Sequence, residues 1–202
     1  MSSTRFPGKI LAPFSGRPMI TRVLAQVSKA VPLDKVVVVT SQNISDDPLT
    51  AYLGSIGISV YRGSLENVFA RYQDCLEQFP CDWVARVTAD SPLWNPSVYS
   101  LMKDIFKDDG AVDVVTNVFP RTFPKGNSLE IVKASTLASV DVSKISQYFK
   151  EHVMPLFYSD PDKYKIVNIE SSNGDQSNLD YCVDTMDDLR RLEDFQEASE
   201  GG

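Results

Sequence analysis

The chain has 202 residues, of which 43% are hydrophobic and 23% charged, a composition typical of one compactly folded domain rather than of a disordered or fibrous chain. Its formal net charge of -7 at pH 7 disfavours binding to nucleic-acid backbones and to anionic membranes. The longest continuous apolar run covers only residues 36–39, far short of the roughly 20 residues that span a bilayer.

Helical and strand periods alternate along the first half of the chain, which is typical of an α/β sheet with crossover helices. We expect the first helix to open at Pro18 and the first strand to be buried on both faces, because residues 36–40 lack polar alternation. The elements predicted next are a short helix from residue 46 with Leu49, Leu53 and Ile56 inward, a strand over 58–61, and a helix capped within 64–67 that carries Val68, Phe69, Tyr72 and Leu76.

The second half continues the alternation around one irregular stretch. The predicted elements are a strand over 83–87, a helix over 96–106 with Val98, Leu101, Met102 and Ile105 inward, a strand over 112–116, a helix bearing Tyr148, Val153 and Leu156, strands over 165–169 and 181–183, and a last helix bearing Met186, Leu189, Leu192 and Phe195. The prolines and glycine that interrupt the rhythm after Phe119 favour an inserted lobe over about 118–165. We therefore expect a single domain over 1–202, with a mostly parallel central sheet and helices on both faces.

The opening segment departs from the usual pattern. A parallel α/β domain normally starts with a hydrophobic strand that leads into its ligand loop, whereas this sequence starts directly with residues 1–5, MSSTR. We expect either a sheet without that first strand or residues missing upstream.

The cysteine and histidine content bears on the location of the protein and on zinc binding. Cys75, Cys81 and Cys182 are an odd number without a C-x-x-C pair, and the N-terminus lacks a signal-peptide pattern, so a cytoplasmic location is expected. His152 is the single histidine, which rules out a histidine-rich zinc site.

A small, basic, hydroxyl-rich loop precedes the first helix. Residues 2–9, SSTRFPGK, offer backbone N–H groups, the hydroxyls of Ser2, Ser3 and Thr4, and the cations of Arg5 and Lys9. Such groups suit a polyphosphate, since an arginine binds phosphate oxygens bidentately and a lysine supplies a mobile charge. A solvated N-terminal turn is the alternative interpretation, because the loop matches neither of the common glycine-rich phosphate motifs.

Two aspartates follow predicted strands near the two ends of the regular part. Asp90 follows the strand over 83–87, and Asp184 follows the strand over 181–183. Carboxylates at the ends of parallel strands point into the ligand crevice, where the two could share one Mg²⁺ with phosphates and waters. Each aspartate could instead cap the helix that comes next.

Several motifs in one order resemble the cytidylyltransferases of the acylneuraminate and 3-deoxy-manno-octulosonate type, and most closely their spore coat polysaccharide biosynthesis branch. The matching segments are SSTRFPGK (2–9), GRPM (16–19), YRGS (61–64), Asn67 with Arg71, RVTADSPL (86–93), EHV (151–153) and VDT (183–185). The resemblance covers nearly the whole chain. It implies a Rossmann-like nucleotide-diphospho-sugar transferase fold and transfer of CMP from CTP to a sugar with release of pyrophosphate.

By resemblance, each site residue acquires an expected role. The catalytic set would be Arg5, Lys9 and Asp90, the metal ligands of Mg²⁺ would be Asp90 and Asp184, the nucleotide would contact Ser2, Ser3, Thr4, Arg5, Lys9, Arg62, Arg71 and Ala89, and the sugar would contact Asn117, Glu130 and His152. The expected partners are CTP and a sugar or sugar acid, without nucleic acid or membrane. A homodimer and ordinary core packing both account for the aromatic residues around the irregular lobe.

Three departures from the family pattern bear on the substrate. The hydrophobic first strand is absent, residues 119–128 read FPRTFPKGNS where close relatives show a Gly-Leu-Asp pattern, and Asp180 replaces a common arginine. A carboxylate at that position is expected to repel a phosphate or a sugar acid. Two alternatives therefore stay open: a catalytically impaired or truncated nucleotide-binding module, and a nucleotidyltransferase that uses another nucleoside triphosphate.

Overall fold

The computed structural model describes residues 5–106 and 112–200, which form an α/β fold. Its strands are β1 (Pro13–Phe14), β2 (Arg17–Pro18), β3 (Val37–Ser41), β4 (Ser59–Gly63), β5 (Trp83–Arg86), β6 (Val114–Thr116), β7 (Glu130–Lys133) and β8 (Ile166–Asn168). Its α-helices are α1 (Met19–Val27), α2 (Asp47–Ser55), α3 (Val68–Gln78), α4 (Ser97–Met102), α5 (Ala134–Ala138), α6 (Gln147–Glu151), α7 (Pro155–Tyr158) and α8 (Met186–Glu200). No helix within these described ranges is long and apolar enough to cross a membrane.

The strands of the described ranges form three separate sheets. A hairpin joins β1 to β2, β3 and β4 pair in parallel, and the largest sheet has the order β5-β7-β6-β8. In that sheet β7 runs antiparallel to both β5 and β6, and only β6 and β8 are parallel. This sheet is therefore mixed rather than mostly parallel, because a loop rather than a crossover helix connects β6 to β7.

Side chains of the four-stranded sheet alternate between two apolar clusters. Val114 and Val132 point into one cluster, which contains residues of α3, α5 and α7. Val115 and Ile131 point into the other, which contains residues of α4. Helices thus cover both faces of this sheet, as the sequence predicted.

Two helices pack against both the β3–β4 sheet and the four-stranded sheet. On α1, Ile20 and Leu24 join the cluster around β3 and β4, whereas Val27 packs against the cluster around Trp94. On the other side, α3 contacts β3 and β4, and its Phe69 lies in the cluster that holds Val114. These two helices hold the separate sheets together.

Most predicted elements are confirmed, with errors at helix ends and in short segments. Ile56 and Leu101 were expected inward but are 43% and 56% exposed. Helix α2 ends at Ser55, just before Ile56, and Val98 and Met102 rather than Leu101 occupy the buried face of α4. Residues 181–183 form no strand; the backbone of Val183 instead donates a hydrogen bond to the carbonyl of Asp90 at 2.9 Å. Within the proposed lobe of 118–165, β7 lies at the centre of the sheet, so that segment is not set apart from the core.

Candidate active site

The basic N-terminal loop contacts the two predicted aspartates. Gly8 adopts a left-handed conformation with a φ of 74°, after which a 3₁₀ turn begins at Lys9. The Nζ of Lys9 lies 3.2 Å from Oδ2 of Asp90 and 2.9 Å from Oδ1 of Asp184, and Arg5 Nη2 lies 2.8 Å from Oδ2 of Asp184. The structure therefore brings together four residues that the sequence singled out separately.

Pairing with Lys9 accounts for the electrostatics of this cluster. Burial alone would lower the pKa of Lys9, but Asp90 and Asp184 outweigh burial and raise it above its ordinary value. The hydrogen bond from Lys9, together with Arg5, lowers the pKa of Asp184. Lys9 is therefore cationic and Asp184 anionic at neutral pH.

A pocket of about 340 Å³ adjoins the cluster, and Asp90 lies in its wall. The pocket is lined by Arg86, Thr88, Asp90, Arg121, Lys125, Gly126, Ser128, Glu130, His152, Val153, Met154, Pro155 and Cys182. Three of these side chains belong to Arg or Lys, one is the imidazole of His152, and two are carboxylates. Such a polar lining suits a hydroxylated, anionic molecule better than an apolar one.

The three predicted sugar residues occupy different positions. Glu130 and the exposed His152 line the pocket, and their contact with a sugar stays a prediction. Asn117 does not: it is fully buried, donates to the carbonyl of Asn127 at 2.8 Å and accepts from the N–H of Leu129 at 2.8 Å. Its expected sugar contact is corrected to a structural one, because both ends of its amide close the loop between β6 and β7.

Arg62 and Arg71, which are predicted to contact the nucleotide, hydrogen-bond to the loops after β3 and β4. Arg62 donates to the carbonyl of Ser41 at 3.0 Å and to that of Asn43 at 3.0 Å, and it pairs with Asp47 at 2.7 Å. Arg71 donates to the carbonyls of the 64–65 segment at 2.8 and 3.2 Å. Neither side chain lines the pocket, and their contact with the nucleotide stays a prediction.

Ala89 and the three hydroxyl residues 2–4 are the remaining residues that are predicted to contact the nucleotide. Ala89 is half-buried between the two loop residues Thr88 and Asp90 and packs against the apolar cluster around β3 and β4. Ser2, Ser3 and Thr4 lie outside the described residues.

Sequence reasoning missed three cations of the pocket. Arg86 ends β5 opposite Glu130 and lies 2.6 Å from its Oε2, and Arg121 donates to Ser128 Oγ at 2.9 Å. Lys125 belongs to the same loop as Arg121. Arg121 and Lys125 could have been found from the sequence, because they are two cations in a proline- and glycine-rich segment that departs from the family pattern.

Asp180 does not present the uncompensated charge that its position suggested. Its Oδ2 lies 3.6 Å from Nζ of Lys125, and its Oδ1 accepts the backbone N–H of Cys182 at 2.9 Å. The expected repulsion of an anionic ligand is therefore reduced.

The oxygen atoms around Lys9 are of the kind that bind a hard cation. They belong to Asp90, Asp184 and the carbonyl of Val183, the last 2.7 Å from Nζ. In the described part of the chain no group of three or more His, Cys, Asp and Glu side chains could by itself hold a metal. Two carboxylates fit Mg²⁺ only with phosphate or water oxygens completing its shell, which is how this ion is commonly bound.

Comparison with known proteins gives consistent results. A family model described as cytidylyltransferase matches residues 1–199. The chain is 27% identical over 209 residues to the spore coat polysaccharide biosynthesis protein SpsF of Bacillus subtilis, covering 99% of this chain and 85% of that protein. It is 27% identical to a 3-deoxy-manno-octulosonate cytidylyltransferase of Bdellovibrio bacteriovorus, covering 76% of this chain and 60% of that protein. A solved cytidylyltransferase structure from Leptospira borgpetersenii superposes with a TM-score of 0.89 at 31% identity, covering 96% of this chain and 81% of that one.

Proposed function

We propose that this chain, which belongs to the cytidylyltransferase family, transfers CMP from CTP to a hydroxyl of a sugar or sugar acid and releases pyrophosphate. The observation that carries the proposal is the convergence of Arg5, Lys9, Asp90 and Asp184 beside a polar pocket. The names of two relatives, a polysaccharide biosynthesis protein and a 3-deoxy-manno-octulosonate cytidylyltransferase, support a role in surface glycan synthesis.

The proposed reaction is an in-line displacement at the α-phosphorus of CTP. A sugar oxygen forms a bond to phosphorus and loses its proton, while the bond to the leaving pyrophosphate breaks. Arg5 and Lys9 would bind the triphosphate and stabilise the charge that develops on its oxygens. Asp90 and Asp184 would hold Mg²⁺, which when bound neutralises phosphate charge and aligns the reacting groups.

The pocket would hold the acceptor sugar next to this cluster. Arg121, Lys125 and His152 present polar groups that can bind hydroxyls or a carboxylate. Glu130 would act by holding Arg86 against the pocket wall, since the two form an ion pair. The compensated charge of Asp180 leaves room for an acidic acceptor.

Location and assembly remain predictions. A cytoplasmic enzyme would meet CTP where it is made, and neither nucleic acid nor a membrane is a proposed partner. A homodimer is proposed through the aromatic side chains Phe119 and Tyr148, which are 42% and 56% exposed.

The test is pyrophosphate release by the purified 202-residue chain with CTP, Mg²⁺ and a panel of neutral and acidic sugars. We expect turnover with CTP, and a loss of at least 100-fold in Asp90→Asn, because Asp90 contacts both the metal and Lys9 in the proposed mechanism. Asp194→Asn, on the exposed side of α8, removes the same charge away from the site and should keep full activity.

Two outcomes would favour the alternatives. Faster turnover with UTP, GTP or ATP than with CTP would identify a different nucleotidyltransferase. Nucleotide binding without pyrophosphate release from any sugar would identify an impaired binding module.

A further inference from the structure

The ammonium group of Lys9 lies among three oxygen acceptors. Its Nζ is 2.7 Å from the carbonyl of Val183, 2.9 Å from Asp184 Oδ1 and 3.2 Å from Asp90 Oδ2. An ammonium has three N–H donors, so these acceptors use all of them. In this arrangement Lys9 cannot also bind a phosphate.

The charges of the cluster balance. Two carboxylates, Asp90 and Asp184, face two cations, Lys9 and Arg5. The Lys9 side chain is 12% exposed and enclosed by the oxygens, whereas the Arg5 side chain is 66% exposed. A divalent cation therefore binds these oxygens weakly, because the carboxylates are already neutralised and the ammonium group of Lys9 occupies the position next to them.

A triphosphate changes this balance. Its oxygens compete for Lys9 and Arg5, and each cation that turns toward a phosphate leaves carboxylate oxygens available to a metal ion. Nucleotide and metal are then each bound better in the presence of the other. Because coupling between two sites is reciprocal, both affinities must change by the same factor.

We propose that Lys9 is a cationic placeholder for the metal ion. In the metal-free protein its ammonium group binds the carboxylates of Asp90 and Asp184, and when CTP binds, this group leaves the carboxylates and binds the triphosphate. Divalent cation and CTP consequently bind cooperatively, and the free protein binds the cation weakly. This inference rests on the proposed function, since it takes Asp90 and Asp184 as the metal ligands and CTP as the nucleotide.

The test measures binding rather than turnover, with Mn²⁺ as the probe and no sugar present. Free Mn²⁺ is followed by electron paramagnetic resonance during titration of the full chain and of Lys9→Met. We expect Lys9→Met to bind Mn²⁺ about tenfold more tightly than the wild type without nucleotide, because the competing ammonium is gone. Lys144→Met is the matched control, since Lys144 is 80% exposed and pairs only with Asp141 among the contacts described; it should behave as the wild type does.

The second readout is the coupling itself. Calorimetric titration with CTP, corrected for the Mn²⁺–CTP complex, should give a wild-type affinity at least tenfold higher with Mn²⁺ than without it. In Lys9→Met the same ratio should fall to a few-fold or less. Arg5→Gln, which removes the more exposed cation, should raise the affinity for Mn²⁺ by a smaller factor and serves as the second variant if Lys9→Met does not fold.

Failure of the inference and failure of the proposed function give different results. Equal Mn²⁺ affinities for wild type and folded Lys9→Met, with CTP binding intact, would overturn the placeholder role alone. Absence of CTP binding by the wild type, or unchanged Mn²⁺ binding in Asp184→Asn with CTP present, would overturn the proposed site and the inference with it.

Discussion

The carboxylate of Glu130 has a partner on each oxygen. Arg86 donates to Oε2 at 2.6 Å, and the Tyr158 hydroxyl donates to Oε1 at 2.8 Å. Burial tends to lower the pKa of Arg86, but the neighbouring Tyr72 and Glu130 outweigh burial and raise it. Arg86 therefore stays cationic at the pocket wall, where the carboxylate of Glu130 holds its guanidinium group.

Arg121 differs from Arg86 in having a hydroxyl rather than a carboxylate as its described partner. It donates to Ser128 Oγ at 2.9 Å and lines the pocket. We expect Arg121→Met to raise the KM for a sugar acid about tenfold or more, because a charge-assisted hydrogen bond contributes roughly 1.5–3 kcal/mol. The kcat should change little, since this contact exists before and during the reaction.

Steady-state pyrophosphate release with an acidic and a neutral sugar measures this effect. Arg190→Met, at a 70% exposed position on α8, is the matched control and should leave both KM values unchanged. Equal loss of affinity for both sugars in Arg121→Met would mean that Arg121 does not bind the acidic group of the sugar.

The loop between β6 and β7 packs closely against the backbone of Tyr181 at Gly126. Gly126 has a φ of +88°, and a Cβ there would lie 2.7 Å from the carbonyl carbon of Tyr181 and 2.8 Å from its oxygen. Gly126→Ala should therefore strain the backbone and make the new Cβ overlap with Tyr181. Together these effects should lower the free energy of unfolding by about 1–3 kcal/mol. Displacement of the loop should also weaken sugar binding, because Arg121 and Lys125 belong to it.

A second glycine separates the two causes. Gly174 has a φ of +80°, but a Cβ there would meet nothing within 4 Å. Gly174→Ala thus carries the backbone strain without the overlap, and urea unfolding should show a smaller loss than in Gly126→Ala. Equal losses would assign the whole effect to backbone conformation and contradict the close packing of the loop.

The elements that the sequence predicted well are those in which one local pattern decides the structure. The apolar period of α1 and the cap of α3 by Asn67 are local, and so is the β-branched run of β3. The positions of Asp90 and Asp184 followed from the rule that strand ends meet at one edge, although residues 181–183 turned out not to form a strand.

The sequence did not predict contacts that depend on a distant part of the chain. Arg62 and Arg71 bind loop carbonyls, and a sequence does not display which carbonyls lack a partner. Arg86 enters the pocket because β7 pairs antiparallel with β5 and places Glu130 opposite it. The sequence analysis did not predict this antiparallel pairing, because alternating helices and strands indicate parallel neighbours.

For the whole molecule, net charge and local charge have opposite signs. The chain carries -7 overall, yet the pocket is lined by three cations, Arg86, Arg121 and Lys125, against two carboxylates, Asp90 and Glu130. An anionic substrate therefore meets a local excess of cations at the pocket, on a molecule whose net charge repels anions.

The described strands form separate sheets, which raises the question of whether the molecule unfolds as one unit. Both tryptophans of the sequence, Trp83 and Trp94, belong to the cluster on the four-stranded sheet, whereas the fully buried Leu53 belongs to the cluster around β3 and β4. Because α1 and α3 pack across both regions, we expect a single cooperative transition.

Leu53→Ala tests this expectation. Truncating the buried leucine should lower the free energy of unfolding by about 2–5 kcal/mol. Its urea midpoint should move equally when followed by tryptophan fluorescence and by far-ultraviolet circular dichroism, although neither tryptophan lies in the same cluster as Leu53. Leu101→Ala, at a 56% exposed position, should move the midpoint little by either probe. A fluorescence midpoint that stays fixed while the dichroism midpoint falls would mean that the β3–β4 region unfolds on its own, and that α1 and α3 do not couple it to the sheet that carries the pocket.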